Sequence, residues 1–486
     1  MKNIYIIIIT ILFISCADKI TTQKLSVTKS IPSLWEYSIP DTSGFAGQWW
    51  EAFGDSVLNN VFTEFNANSP DLKTIASRLE MASQVKKINS ANRFPSLNAG
   101  LSGSSRRQNL TAFGLSDDFF GGNQNDEQSN ANSDEVTSFS SNNFGLNLSM
   151  QWEIDLWRKV FNQTKAAEKD FESIDYDLSY LSFSMRVQLA KLFYATVEAY
   201  NQYQLANETL QSVKELADMV NARYEKGLRS SLDVRLTQSS VFSSKALLEN
   251  RRLVYISFVR NLESMLGKYP KGTYPISKEL PIRIPPVKPS IPADILLRRP
   301  DIKSALAKAE AESYRIAESI SLFFPGIVLT NSIGTSSNEL KDILNSDYGV
   351  WSQGVNMVLP LFQGGKIVAN KKMRQEAQNI AKQELIKVII RAFSEVEQTL
   401  FSEHSNNILL ESYTEAAKQA EAAYKLSRER YDSGLVDLIA VQDSQQRWFQ
   451  SRSQVLFAKK TKIDTRLNLI LALGGDLIQN TEINNE

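Results

Sequence analysis

The 486-residue chain has one cysteine (Cys16) and one histidine (His404), and its 54 basic residues balance 54 acidic ones. A single cysteine excludes an intrachain disulfide. With one histidine beside it, the chain has no ligand set for zinc or haem and no Cys–His catalytic pair. Zero formal charge, with Lys and Arg scattered rather than clustered, removes the electrostatic footprint of a nucleic-acid binder. There is no glycine-rich phosphate loop and no nucleophile–His pair, so no cofactor and no catalysis are expected. The many carboxylates read as solvated helix surface. After Cys16 no run of about 18 apolar residues occurs, which excludes a transmembrane helix in that part of the chain.

What is present is a duplication. Arg223-Tyr224-Glu225-Lys226-Gly227-Leu228 returns as Arg430-Tyr431-Asp432-Ser433-Gly434-Leu435, each copy between two long helical runs. Each copy reads as the tight turn of a helical hairpin. Its glycine ends the incoming helix in the left-handed conformation, and Ser230 or Asp437 caps the outgoing one. Gln238 matches Gln445, and Leu266-Gly267 matches Leu473-Gly474, in the same register. Upstream, Pro70-Asp71-Leu72-Lys73, Glu80 and Phe94-Pro95 recur as Pro300-Asp301-Ile302-Lys303, Glu310 and Phe324-Pro325. Length alone allows two to four domains or one large duplicated one; the echoes favour two repeats, 55–267 and 293–475.

In chain order, Lys2 and the apolar run to Ile14 read as a signal peptide, residues 1–15. The run ends at Phe13-Ile14-Ser15-Cys16, which resembles a bacterial lipobox and makes Cys16 the expected lipidation site; a plain signal peptide with an incidental cysteine is the alternative. A polar lead-in to residue 54 follows, in which Trp49-Trp50 read as core anchors. Asp55–Asn68 reads as a short amphipathic helix. Ser69-Pro70-Asp71 opens another that runs to about Arg93, with Ser69 as its cap.

Strand-like sequence then covers about 95–104 and 143–153. In the second of these Phe144, Leu146, Leu148, Met150 and Trp152 share one face. Ser105 to Asn142, rich in Ser, Asn, Gly and Asp, reads as an exposed loop. Leu156 to Lys226 reads as one helix of roughly 100 Å. Its seam, from Met185 through Leu189, Thr196, Ala199, Ala206, Val213 and Val220 to Tyr224, keeps a coiled-coil period. A return helix spans Ser231–Leu266. Lys268 to Pro292, with seven prolines, is the linker between the repeats. The second copy has strands at about 326–334 and 349–359, the latter interrupted by Gln353 on its apolar face. Helices at about Lys366–Ser433 and Leu438–Leu473 complete it, and 476–486 is a polar tail.

Four strands of about ten residues with one apolar face match outer-membrane strands. Backbone groups in lipid must be paired, so a spanning sheet has to close, and four strands are too few to close one. Copies must pool their strands, eight from a dimer or twelve from a trimer. The alternative is a soluble β-sandwich attached to a coiled coil.

Here the sequence resembles a known family. The Cys16 context, Trp49-Trp50…Phe53-Gly54-Asp55, the Pro-Asp and Phe-Pro echoes, Trp152-Glu153-Ile154-Asp155-Leu156-Trp157, Leu359-Pro360-Leu361-Phe362-Gln363-Gly364-Gly365 and the doubled turn look like the TolC/OprM outer-membrane efflux factors. The resemblance implies a mainly α chain with membrane β: a homotrimeric twelve-stranded β-barrel in outer-membrane lipid, continued by a periplasmic α-helical barrel. It implies partners too, a periplasmic adaptor and an inner-membrane RND-type pump, with small-molecule efflux as the function. A type I protein-secretion outlet and a non-conducting envelope lipoprotein are the alternatives.

Carried over by position, Asp233, Tyr431 and Asp443 are the expected periplasmic gate. Arg223, Tyr224, Gly227, Leu228, Arg430, Gly434 and Leu435 are the expected adaptor contact. Ala440 and Val436 stand where the family carries an aspartate and an arginine, which thins the expected closing network. Ser230-x-x-Asp233 is also a capping-box pattern, and Tyr431 could be an ordinary seam residue. Arg158 stands where these proteins often carry glycine.

Overall fold

A computed structural model of the chain describes residues 34–37, 48–109, 138–281, 284–285, 287 and 292–474. Cys16, the signal segment, most of the lead-in and the C-terminal tail lie outside them. The chain divides into two units. One comprises Met1–Ile20, Val85–Glu168 and Ala311–Gln378; the other comprises Thr21–Gln84, Lys169–Glu310 and Asn379–Glu486.

The elements come in duplicated order. They are α1 (Ser56–Asn68), α2 (Pro70–Ala91), β1 (Ser96–Asn109), β2 (Ser138–Ile154), α3 (Lys159–Glu225) and α4 (Ser231–Met265). After the linker come α5 (Pro292–Arg298), α6 (Pro300–Ser321), β3 (Gly326–Ser337), β4 (Gly349–Val358), α7 (Lys366–Asp432) and α8 (Leu438–Ala472). The helices α3 and α7 have 67 residues each, about 100 Å at 1.5 Å per residue. No helix among the described residues is long and apolar enough to cross a membrane.

Among the described residues the first unit holds a single antiparallel sheet of order β1-β2-β3-β4, not two sheets packed as a sandwich. Its register sorts side chains cleanly. Ala99, Leu148, Ile333 and Trp351 form one row on one face, and Trp152, Leu329 and Val355 another. On the opposite face Asn98, Ser149, Ser332 and Ser352 form a row. The Gln353 interruption lies directly opposite Asn331, so the polar break in the apolar face is a cross-strand pair. Gly334 is required here, since a Cβ would come 2.0 Å from the Leu146 carbonyl oxygen.

Three boundaries differ from the sequence reading. The expected loop from Ser105 to Asn142 begins later and ends earlier, because Ser105–Asn109 pairs with Ser138–Asn142. A hairpin ladder in register continues through polar residues once both faces are wet, and composition alone does not show this. Helix α3 starts at Lys159 rather than Leu156. The Asp155 carboxylate accepts from the Val160 and Phe161 amides (3.0 and 2.7 Å), and Arg158 turns the chain with φ 60°, the one positive φ outside glycine among the described residues. Ser69 does not cap α2 with its side chain; its hydroxyl is buried without a hydrogen-bond partner.

The core of the second unit is built on the paired tryptophans. Trp50 stacks on Phe62 at 4.2 Å, and Trp49 meets Trp50 and Phe62 edge-on. Asp55 caps α1 through the Val57 and Leu58 amides and accepts from the Ser277 hydroxyl. The buried Glu263 carboxylate accepts from the amides of Gly272, Thr273 and Tyr274. The linker is thereby fastened to α1 and α4 through charge-assisted bonds, each worth more than a neutral one.

Candidate functional site: the hairpin tips and the apolar sheet face

Both hairpin turns close the same way. Gly227 (φ 76°) donates to the Tyr224 carbonyl at 2.8 Å, and Leu228 donates to the Arg223 carbonyl at 2.9 Å. Gly434 (φ 71°) donates to Tyr431 at 3.1 Å, and Leu435 to Arg430 at 2.8 Å. These paired bonds form a Schellman motif, which satisfies the last carbonyls of α3 and α7. On the outgoing side the turns diverge. Ser230 and Asp233 form a reciprocal capping box, whereas Asp437 accepts from the Ala440 amide at 2.9 Å and Ala440 has no carboxylate to return the bond.

Leu228 and Leu435 project into solvent with 69% and 74% of their surface exposed, and Leu232 and Ile439 at 64% and 63%. Each turn therefore carries two unpartnered apolar side chains at matching repeat positions. Tyr224 and Tyr431, also matched, have opposite fates. Tyr224 is 45% exposed and Tyr431 is fully buried. The Tyr431 ring lies among Leu216, Val220, Tyr424, Leu438 and Val441, with the guanidinium of Arg223 at 5.0 Å and that of Arg229 at 4.4 Å from its centroid. Its hydroxyl is buried without a partner. Arg223 also pairs with Asp432 at 2.9 Å and donates to the Tyr431 carbonyl. The tips of α3 and α7 are thus fastened to each other within one protomer.

Of the three expected gate residues, only Tyr431 belongs to this clasp. Asp233 is engaged in its capping box. Asp443 is exposed on α8 and paired with Arg447 one turn on, at 2.8 Å. It borders a groove of about 750 Å³ between α3, α4 and α8, whose walls include Val213, Ser240 and Phe449. Sequence reasoning missed Arg229 and Asp432, because nothing in a repeated turn marks which arginine will cross to the other hairpin. It also missed the bridge in which Gln445 donates to the Ser212 and Tyr424 hydroxyls; the repetition of Gln238 as Gln445 was its only signal.

In the first unit the apolar sheet face is open. Leu101, Trp351 and Val355 are 70% exposed or more, and β1 and β4 are edge strands with no further strand paired to them among the described residues. A broad exposed apolar face on a sheet marks a surface that a membrane or another protein covers.

Comparison with known proteins agrees with this arrangement. A family described as outer membrane efflux protein matches residues 62–268 and 291–475. The toluene efflux pump outer membrane protein TtgF of Pseudomonas putida is 26% identical over 434 residues, covering 88% of this chain and 85% of the relative. The pyoverdine export outer membrane protein OpmQ of Pseudomonas aeruginosa is 25% identical over 478 residues, covering 98% and 97%. The Campylobacter jejuni CmeC outer membrane channel superposes with a TM-score of 0.78 at 22% identity, covering 91% of each chain. With the fold, the open apolar sheet face and both halves of the chain in agreement, this protein belongs to the outer membrane efflux protein family.

Proposed function

We propose that three copies of this chain form one conduit, the outer-membrane component of a tripartite pump that expels small molecules. The observation that carries this reading is the four-stranded sheet with an exposed apolar face and, among the described residues, two unpaired edges. A sheet in lipid cannot leave its edge amides and carbonyls unpaired, so β4 of one copy pairs with β1 of the next. Three copies give twelve strands. The exposed apolar positions along α4, Phe242 and Leu253 among them, supply helix surface for the same assembly.

The exposed Leu228, Leu232, Leu435 and Ile439 are the proposed seat of a periplasmic adaptor, with Arg223, Tyr224, Gly227, Arg430 and Gly434 shaping the turns that present them. An inner-membrane RND-type pump would feed the conduit through that adaptor. Asp443, once from each copy, is the proposed cation-favouring ring at the periplasmic mouth, and Cys16 the proposed lipid attachment. The names of TtgF and OpmQ support small organic cargo.

The experiment is conductance of the purified protein in a planar bilayer, with its mass measured in detergent. Discrete channels and a mass three times that of one chain are expected. A monodisperse monomer without conductance refutes the conduit. Asp443→Asn should lower cation preference; unchanged selectivity removes Asp443 from the mouth.

A further inference from the structure

The stretch Leu359-Pro360-Leu361-Phe362-Gln363-Gly364-Gly365 leads from β4 into α7, and its two large side chains touch nothing that covers them. Leu361 and Phe362 are 88% and 89% exposed, the highest values among the large hydrophobics of the described residues. This is a built conformation rather than a slack one. Gly364 and Gly365 both take positive φ, 57° and 83°, where any side chain would be strained. No atom lies within 4 Å of a Cβ added at either position, so the glycines serve the backbone turn and not close packing. Lys366 and Ala369 donate to the carbonyls of Gln363 and Gly365, locking the elbow onto the first turn of α7.

The position of the elbow in the sheet says what covers it. It follows the last residue of β4, an edge strand; the other edge, β1, begins at Ser96. Strand directions alternate across β1-β2-β3-β4, so when β4 of one copy pairs with β1 of the next, the pairing is antiparallel. The end of β4 then lies beside the start of β1. Two residues before that start stands Phe94, itself 72% exposed. Two unpartnered aromatic positions, one at each edge of the sheet and both at its helix end, are thereby brought together only by a second copy.

We infer that the Leu361–Phe362 elbow is an intersubunit clasp, seated on Phe94 of the neighbouring copy at the foot of each barrel seam. The inference rests on the conduit reading above and deepens it, by naming the side chains that fix the seam where the edge ladder ends. Each aromatic ring so covered removes about 150–250 Å² from solvent, and the three-fold ring repeats the contact at every seam.

The test uses the full-length protein in its membrane, with Phe94→Cys and Phe362→Cys combined and a short bis-maleimide added. Cys16 is the chain's only native cysteine and the proposed lipid attachment, so it is kept, and each single variant reports any coupling through it. The double variant should yield covalently closed trimers, and each single variant should not. Phe362→Asp, which leaves the protomer's own contacts intact, should weaken assembly by roughly 10- to 100-fold per seam, the equivalent of losing one buried aromatic side chain. Brominated phospholipid should fail to quench a Phe362→Trp variant beyond the parent protein.

Trimers of normal mass that do not couple overturn the clasp and leave the conduit standing. Strong quenching by brominated lipid overturns it too, by assigning the elbow to the bilayer. Absence of trimers in the parent protein overturns both.

Discussion

Tyr431 makes a sharp prediction because its ring and its hydroxyl do different things. The ring is wedged between two guanidinium groups and an apolar cluster, while the hydroxyl is buried with no partner. If the tips of α3 and α7 separate when the conduit opens, the groups that resist are the ring and Arg223. The Arg223–Asp432 pair is partly exposed (26% and 46% of the side chains), so screening leaves it about 0.5 kcal/mol. The Arg223 guanidinium over the Tyr431 ring adds about 0.5–1 kcal/mol. Arg223→Gln should therefore weaken the clasp by about 1–1.5 kcal/mol and shift the opening of one protomer roughly 5- to 12-fold. Three protomers opening together would multiply this to more than about 100-fold.

Tyr431→Phe should behave oppositely. It keeps the ring and removes an unsatisfied polar group, so thermal stability should rise by about 1 kcal/mol and the frequency of opening should not increase. The assay is single-channel event frequency in a planar bilayer beside thermal unfolding of the same samples. The Arg223→Gln effect should shrink in 1 M salt, where the screening length falls to about 3 Å. Should Tyr431→Phe open the channel as much as Arg223→Gln does, the hydroxyl holds the closed state and the intraprotomer clasp is refuted.

Other outcomes follow from single positions. Arg158 sits at φ 60° with its guanidinium 4.3 Å from the Phe161 ring; Arg158→Val should cost about 1–2 kcal/mol by unfolding, whereas Arg158→Gly should stay within about 1 kcal/mol of the parent because relief of strain offsets added chain entropy. Gly334→Ala should abolish membrane assembly, since its Cβ would meet a backbone oxygen; a normal trimer from that variant would contradict the β2–β3 register.

Burial raises the Asp464 carboxyl above its ordinary value, against the opposing pull of its Lys460 partner. The folded value then exceeds the unfolded one, so charging the group on folding opposes stability, increasingly as pH rises above the unfolded value and fully once it passes the folded one. Asp464→Asn should accordingly raise the melting temperature at pH 8, with the gain shrinking toward pH 4; a gain independent of pH would contradict the assignment.

Much of the plan can be read without coordinates, because local rules suffice for it. A glycine that ends one helix and a polar cap that opens the next specify a hairpin wherever they occur, so the doubled turn placed both long hairpins within a residue or two at the tip. Alternation of apolar and polar side chains likewise marked the strands, and in β2 and β4 the apolar face as well. Tertiary structure decided what repetition could not. Tyr224 and Tyr431 occupy the same place in the same motif, yet one faces solvent and the other is sealed, because only the second lies where Leu216 and Val220 of α3 meet Leu438 and Val441 of α8. The reach of β1 and β2 beyond the apolar band was hidden for the same kind of reason. Once a ladder is in register its hydrogen bonds are made by the backbone, and polar side chains no longer report where the strand stops.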